Sequence, residues 1–240
     1  MSWFKDWFNS EYYHILYKDR DTKEAQNFID NLIKNLNIKK NSKIIDIACG
    51  KGRHAKYLNQ QGMDVIGIDI SPESIKYAKK YENTGLKFRV QDMRYIYKED
   101  EFDIATNLFT SLGYFDNYDD EKKAINAMSV SLKKGGLLII DFMNVEKTSR
   151  NLITSEVKQI NNITFNIKRN IKNNHIIKKI SFSDNQREYL FTEKVRRLDL
   201  ITFSKLTSNA GLEITNTFGN YQLEKFDKKH SDRLILICKK

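Results

Sequence analysis

The chain has 240 residues, 40% hydrophobic and 30% charged, enough for one large domain that buries roughly 70–75% of the surface its unfolded form exposes. Its two cysteines, Cys49 and Cys238, stand in unrelated contexts with no Cys/His ligand spacing, which excludes a disulfide scaffold, makes structural zinc improbable and leaves no expected metal site. The formal net charge is +10, and most of the excess lies in residues 150–197, which hold eleven basic and four acidic residues. That segment reads either as a solvated lysine-rich face or as an anion-attracting lid.

The N-terminal sequence from Met1 to Phe8 is amphipathic and carries an early acid. No stretch approaches the ~20 apolar residues of a membrane span, so a soluble cytoplasmic protein with no membrane partner is expected. From Asp21, apolar residues at 25, 28, 29, 32, 33 and 36 share one helical face, and Asp21 with Glu24 fits a capping box. Residues 1–36 therefore read as an N-terminal helical lid.

Lys43–Cys49 is a short apolar run that ends in Gly50-Lys51-Gly52 and leads into a helical stretch. Asp64–Asp69 reads as a second buried strand, and Ser71-Pro72-Glu73 as a capped helix start. The alternation continues through strands at Leu86–Gln91 and Phe102–Asn107, a helix from about Asp119 to Leu132, and a fifth strand from Gly135 to Asp141. Such a beat predicts an α/β, Rossmann-like, doubly wound sheet.

After Asn144 the rhythm breaks into short β-branched and aromatic runs at 157–160, 163–169, 175–182 and 188–195, joined by Asn-rich turns. Residues 150–195 are read as an inserted antiparallel β lid. A helix around Phe203–Ala210 and strands at Leu212–Tyr221 and Arg233–Lys239 then complete a seven-stranded, mostly parallel sheet with an antiparallel terminal hairpin, built from residues 37–149 and 196–240.

Ligands of open parallel sheets bind beyond the carboxyl ends of the strands. There the chain places Asp46, Gly50 and Gly52 after the first strand, Asp69 and Ile70 after the second, Asp92-Met93 after the third and Asn107 after the fourth. Glycines permit close backbone approach, Asp69 suits a ribose diol, and Asp92-Met93 suits an adenine. Three acids in register fit a nucleoside without phosphates. The glycine loop also satisfies a dinucleotide pattern, Gly50-x-Gly52-x-x-Ala55, but Asp46 ahead of it would repel a pyrophosphate.

Asp46-Ile-Ala48-Cys49-Gly50-Lys51-Gly52 resembles the Asp-x-Gly-x-Gly-x-Gly loop of the class I S-adenosylmethionine-dependent methyltransferases, with Ala48 in place of the first glycine. The Ala-Cys-Gly-x-Gly form is similar to a subgroup acting on nitrogen or oxygen of small molecules. The resemblance implies S-adenosylmethionine as cofactor, S-adenosylhomocysteine as product, and a site of Tyr13, Arg20, Asp46, Ala48, Gly50, Gly52, Asp69, Ile70, Asp92, Met93 and Asn107. It also implies an aromatic, Tyr-rich lid over the cofactor, Tyr12-Tyr13-His14-Ile-Leu-Tyr17.

Methyl transfer is an in-line displacement that chiefly needs alignment and exclusion of water, so a strong catalytic signature is not expected. Tyr13 and Asn144 are the favoured pocket-lining residues, beside the candidates His14, Asn107, Asp141 and Arg196. Pro72 is the only proline, so the proline-containing loops used on nucleic-acid bases in related families are missing. Asn107 in place of an acid disfavours a metal-dependent O-methyltransferase. A small-molecule acceptor is expected, with two alternatives: an RNA- or ribosome-associated methyltransferase, and a non-catalytic cofactor-binding regulatory protein. The inserted sheet's edge could pair across a homodimer, or the chain could be a monomer.

Overall fold

The computed structural model describes residues 3–18 and 22–240. Two six-residue helices, α1 (Trp3–Phe8) and α2 (Glu11–Leu16), precede the longer α3 (Thr22–Leu36). Ala25, Phe28, Ile29 and Leu32 form the buried stripe of α3. The expected Asp21 cap, like Arg20, lies outside the described residues.

Strands β1 (Lys43–Ile47), β2 (Asp64–Asp69), β3 (Leu86–Val90), β4 (Phe102–Asn107) and β5 (Leu132–Met143) pair in parallel. The helices α4 (Arg53–Gln60), α5 (Pro72–Ala78) and α6 (Tyr118–Ser131) connect them, and α7 (Val145–Arg150) follows β5. After the inserted segment come α8 (Leu200–Asn209), β10 (Glu213–Phe218) and β11 (Arg233–Lys239). The seven-stranded order is β10-β11-β5-β4-β1-β2-β3, with β11 antiparallel to both neighbours. Continuous burial along β1, β4 and β11 reflects a sheet covered on both faces, and two apolar clusters divide between those faces.

Ser71 caps α5 by accepting from the Ser74 amide at 3.1 Å, with Pro72 at the first helical position. Asn117 and Asp199 cap α6 and α8 in the same manner. Two boundaries and one helix depart most from expectation. The strand β5 starts at Leu132, before a left-handed Gly135 (φ 80°), and α7 was not legible in the sequence pattern. β10 ends at Phe218, because Tyr221 turns away to pack on Phe28, their ring centres 4.5 Å apart.

The insertion is a four-stranded antiparallel meander of β6 (Ser155–Ile160), β7 (Ile163–Lys172), β8 (His175–Asp184) and β9 (Arg187–Arg196). Lys172 pairs with His175 across a two-residue loop in which Asn173 and Asn174 are both left-handed, φ 49° and 59°, as a type I′ turn requires. Alternation along β7 and β8 buries Ile163, Phe165, Ile167, Ile180 and Phe182 on one face. Trp7, Tyr12 and Leu16 of α1 and α2 complete this third cluster, so the first two helices dock on the insertion.

Candidate functional site

The loop after β1 is shaped by close packing from below. Ala48, Gly50 and Gly52 all adopt left-handed backbone, φ 60°, 56° and 81°. A Cβ on Gly52 would stand 2.6 Å from the buried Phe88 ring, so the turn closes only over glycine there. Around Gly50 the opposite holds. A Cβ there would meet nothing within 4 Å, because Gly50 borders an open cavity of about 910 Å³ beyond the strand ends. Gly52 starts α4, whose first turn also faces this space.

Asp69 ends β2 at the cavity wall, where its carboxylate accepts from the Gly50 amide and from the Ser71 amide, each at 2.8 Å. Burial raises its pKa, and the two amides oppose the rise. Each carboxylate oxygen keeps a lone pair for a further donor such as a sugar hydroxyl. Asp46 lies deeper, 1% exposed, and accepts from the Thr106 hydroxyl at 2.9 Å through Oδ1. Its Oδ2 is buried with no partner among the described residues, and burial pushes its pKa up to about 7. Two acids under and beside a glycine loop fit a nucleoside carrying positive charge and oppose a pyrophosphate.

The predicted residues separate into two groups. Tyr13, Ala48, Gly50, Gly52, Asp69, Ile70, Asp92 and Met93 all line the cavity. Within it, Asp92 is held by Arg94, whose Nη2 donates to Oδ2 at 2.6 Å, and Arg94 in turn bridges to Asp120 at 2.7 Å. Asp46, Asn107 and Asn144 are brought close without lining it. Asn107, fully buried, donates from Nδ2 to the Ile47 carbonyl at 3.1 Å, so it clamps β4 to β1 under the loop. Asn144 caps α7 and donates to the Lys228 and Ser231 carbonyls at 3.0 and 2.8 Å; it serves the backbone, and its neighbour Met143 lines the cavity instead. In both cases an asparagine at a strand end spends its amide on backbone carbonyls, Asn107 on Ile47 at the end of β1 and Asn144 on the 228–231 segment before β11. Arg196 donates to the Phe115 and Asp116 carbonyls and approaches the buried Glu121 at 3.9 Å, which makes it a joint of the insertion.

Beyond the lid residues Tyr13 and Tyr17, which line the cavity, sequence reasoning missed its far end. After β4 the chain passes through two consecutive left-handed residues that are not glycine, Phe109 (φ 62°) and Thr110 (φ 58°). Each costs roughly 1–2 kcal/mol relative to ordinary backbone. Hydrogen bonds from their amides to the Asp141 side chain and carbonyl, both 2.9 Å, hold them there. Tyr114, Phe115, Glu193, Val195 and Arg233 also line the cavity. Phe8, Tyr13, Tyr17 and Tyr114 form a connected aromatic cluster with ring centres 5.0 to 5.1 Å apart. Glu193 of β9 accepts from Trp7 Nε1 at 2.6 Å and from the Tyr17 hydroxyl at 2.8 Å. Lys178 of β8 donates to the Tyr17 hydroxyl and lies 3.4 Å from Glu193; burial lowers its pKa against the pull of that carboxylate. Apart from the Tyr-rich lid, the sequence signal for this end was charge placed at the start or close of otherwise apolar strands, as in Arg233-Leu-Ile-Leu-Ile.

The fold, the strand order and the glycine loop with its trailing acid define a class I S-adenosylmethionine-dependent methyltransferase architecture. The chain belongs to the methyltransferase-domain family, which matches residues 38–196. A solved S-adenosylmethionine-dependent methyltransferase from Clostridium acetobutylicum ATCC 824 superposes with a TM-score of 0.80 at 23% identity, over 95% of each chain. The sugar N-methyltransferase KedS8 from Streptoalloteichus sp ATCC 53650 gives 0.73 at 17% identity, over 94% of this chain and 92% of its own. Among curated proteins, the ubiquinone biosynthesis O-methyltransferase of Pelagibacter ubique is 28% identical over 124 residues, 48% of this chain and 50% of its own. The chain spans about half the length or less of the curated relatives it matches.

Proposed function

We propose that this chain transfers a methyl group from S-adenosylmethionine to a nitrogen atom of a small polar acceptor. The observation that carries the reading is the composition of the cavity's far end: four connected aromatic rings with the carboxylate of Glu193 beside them. Aromatic faces favour an amine-bearing molecule by cation–π attraction, and Glu193 balances the charge of the neighbouring Lys178, 3.4 Å away, so that the wall does not repel a cation. The likeness to the sugar N-methyltransferase KedS8 agrees with nitrogen; the likeness to a ubiquinone biosynthesis O-methyltransferase keeps oxygen as the second outcome.

Asp69 would hold the ribose, Asp92 and Met93 the adenine end, and the Gly50 segment the middle of the cofactor, with Tyr13 facing the acceptor. When bound, S-adenosylmethionine supplies an electrophilic methyl carbon, whose bond to sulfur breaks with its electron pair left on sulfur as the acceptor's lone pair attacks. The protein's share is to orient the two molecules and keep water out. The α1–α2 pair and the inserted sheet supply that enclosure, since Phe8, Tyr13, Glu193 and Val195 form its roof.

The RNA reading is weakened by how the insertion's charge is used. Lys158, Arg169, Lys178, Lys194 and Arg196 each lie within 4.0 Å of an acid of the same chain. Calorimetric titration with S-adenosylhomocysteine tests the cofactor half, and methyl transfer from labelled S-adenosylmethionine to a panel of matched amines and alcohols tests the acceptor. Binding with transfer to amines supports the reading; transfer confined to alcohols, or no binding of either cofactor form, defeats it.

A further inference from the structure

Arg233 opens the last strand and lines the cavity at its far end, with its side chain only 18% exposed. One edge of its guanidinium is committed to the protein. Nε donates to Asp141 Oδ1 at 2.7 Å, and Nη2 donates to Thr110 Oγ1 at 3.0 Å. Its plane is set by two rings, with its carbon 5.8 Å from the Phe109 centre and 5.7 Å from the Tyr221 centre. Asp141, itself 1% exposed, is pinned by the Phe109 amide and the Tyr221 hydroxyl, so it cannot swing away from the arginine.

A guanidinium has five donors in a rigid fork. Two are used here, and no described residue accepts from Nη1. That nitrogen is not sealed in the interior, since it is not among the buried atoms left without partners. The remaining donors therefore meet the cavity. Keeping an arginine in this pose takes the two left-handed residues Phe109 and Thr110, one of which supplies the hydroxyl that holds it. Arg53 of α4 adds a second cation, 5.4 Å from the Phe109 ring centre, while Glu24 of α3 is the other acid whose field reaches Arg233.

We infer that the free edge of Arg233 binds a carboxylate of the methyl acceptor, so that the acceptor class is an amine that also carries a carboxylate. A planar two-oxygen anion matches a fork with one edge already fixed, and charge-assisted hydrogen bonds of this kind are the strong ones. With the aromatic cluster and Glu193 at the amine end, the cavity would grip a zwitterion by both charges. This rests on the reading of the cavity as a methyl-acceptor site.

The test uses the whole chain saturated with S-adenosylhomocysteine, titrated with phenylacetate and with the neutral phenylacetamide under NMR detection. The wild type is expected to prefer the carboxylate by about tenfold or more, which is the worth of one charge-assisted hydrogen bond. Arg233→Lys retains a cation beside Asp141 but lacks the fork, and is expected to reduce the preference to about threefold or less, with its melting midpoint as control. Equal binding of the two probes to the wild type, binding of neither, or an undiminished preference in Arg233→Lys would overturn the proposal. A second pair, S-adenosylhomocysteine against 5′-methylthioadenosine, distinguishes the cofactor's own carboxylate. If Arg233→Lys weakens only the former, the arginine serves the cofactor and the proposal falls. If the wild type binds no S-adenosylhomocysteine, the proposed function fails instead, and the two probes are compared on the protein alone.

Discussion

Ile44, Ala105 and Ile140 lie in a sheet covered on both faces, whereas Phe165, Ile180 and Phe182 are buried on one face of a sheet where, among the described residues, a pair of six-residue helices covers them. Helices that short are unstable by themselves, so α1 and α2 hold their form through what they pack against. The glycine-loop end of the cavity is built on the first arrangement and the roof on the second. The parallel sheet positions glycines and acids with its own core; the roof depends on a few anchors, chiefly Trp7 and Tyr17 on Glu193 and Tyr12 on Asp184. A floor with a separately packed roof allows the roof to open without disturbing the glycine loop.

The largest effect should come from emptying the roof's core. Phe182 packs against Tyr12, Phe165 and Tyr189 with ring centres 4.6 to 5.0 Å apart. Phe182→Ala is expected to cost about 3–5 kcal/mol. Hydrogen exchange should then show protection lost across 6–18 and 155–196 and kept in β1, β4 and β5. Uniform loss throughout the chain would mean that floor and roof form one cooperative unit.

Asp69→Ala attacks the floor's chemistry and should weaken S-adenosylhomocysteine binding by about 2–3 kcal/mol, since the lost hydrogen bonds are to a charged group. Glu193→Gln, in the roof, should leave that affinity within about twofold while raising the acceptor KM. Matching losses of cofactor affinity in both variants would erase the distinction between the two ends.

The joint between floor and roof carries a titration. Glu121 is fully buried on α6 beneath the loop that holds Gly113, and burial pushes its pKa up to about 7 from a usual 4.5. A raised carboxyl favours the folded state when protonated, so its contribution is complete below about pH 4.5 and is lost as pH climbs through 7. Glu121→Gln should remove that fall, at most about 3 kcal/mol for one group, and leave the like-signed contribution of Asp46 over its own window up to about 7. Urea denaturation at half-unit pH steps reads the slope. An unchanged slope would place the titration elsewhere.

Much of the floor was legible because strands buried on both faces read as unbroken apolar runs and the residues after them are turn formers. Lys43–Ile47, Asp64–Asp69 and Phe102–Asn107 fall where the sequence placed them, and the Asn-rich turns marked the meander. Of the cavity's far end only the Tyr-rich lid with Tyr13 was legible, for Tyr114, Glu193 and Arg233 stand far apart in the chain and line one cavity only through the third dimension. Asn107 and Asn144 misled for a related reason. A polar residue at a strand end can face a ligand or mend the backbone, and the sequence carries no mark of which.

The smallest effect tests the loop's own departure from its family pattern. Ala48 stands where the resembling loop has glycine, and its φ of 60° lies in the region where a Cβ crowds the backbone at a cost of roughly 1–2 kcal/mol. Ala48→Gly relieves that strain but loosens the unfolded chain, which returns roughly 0.4–1 kcal/mol. The difference is a net stabilisation of about 0.5–1 kcal/mol, a rise of a few degrees in melting midpoint for a chain of this size. The affinity for S-adenosylhomocysteine should stay within about twofold, because the loop's shape is fixed by Phe88 under Gly52 and by the Gly50 amide on Asp69, neither of which the substitution touches. A lower melting midpoint would show that the alanine methyl contributes more by packing than its backbone strain costs. The loop would then be held by side-chain contact as well as by glycine geometry, and the roof would no longer be the only part of the cavity that depends on individual anchors.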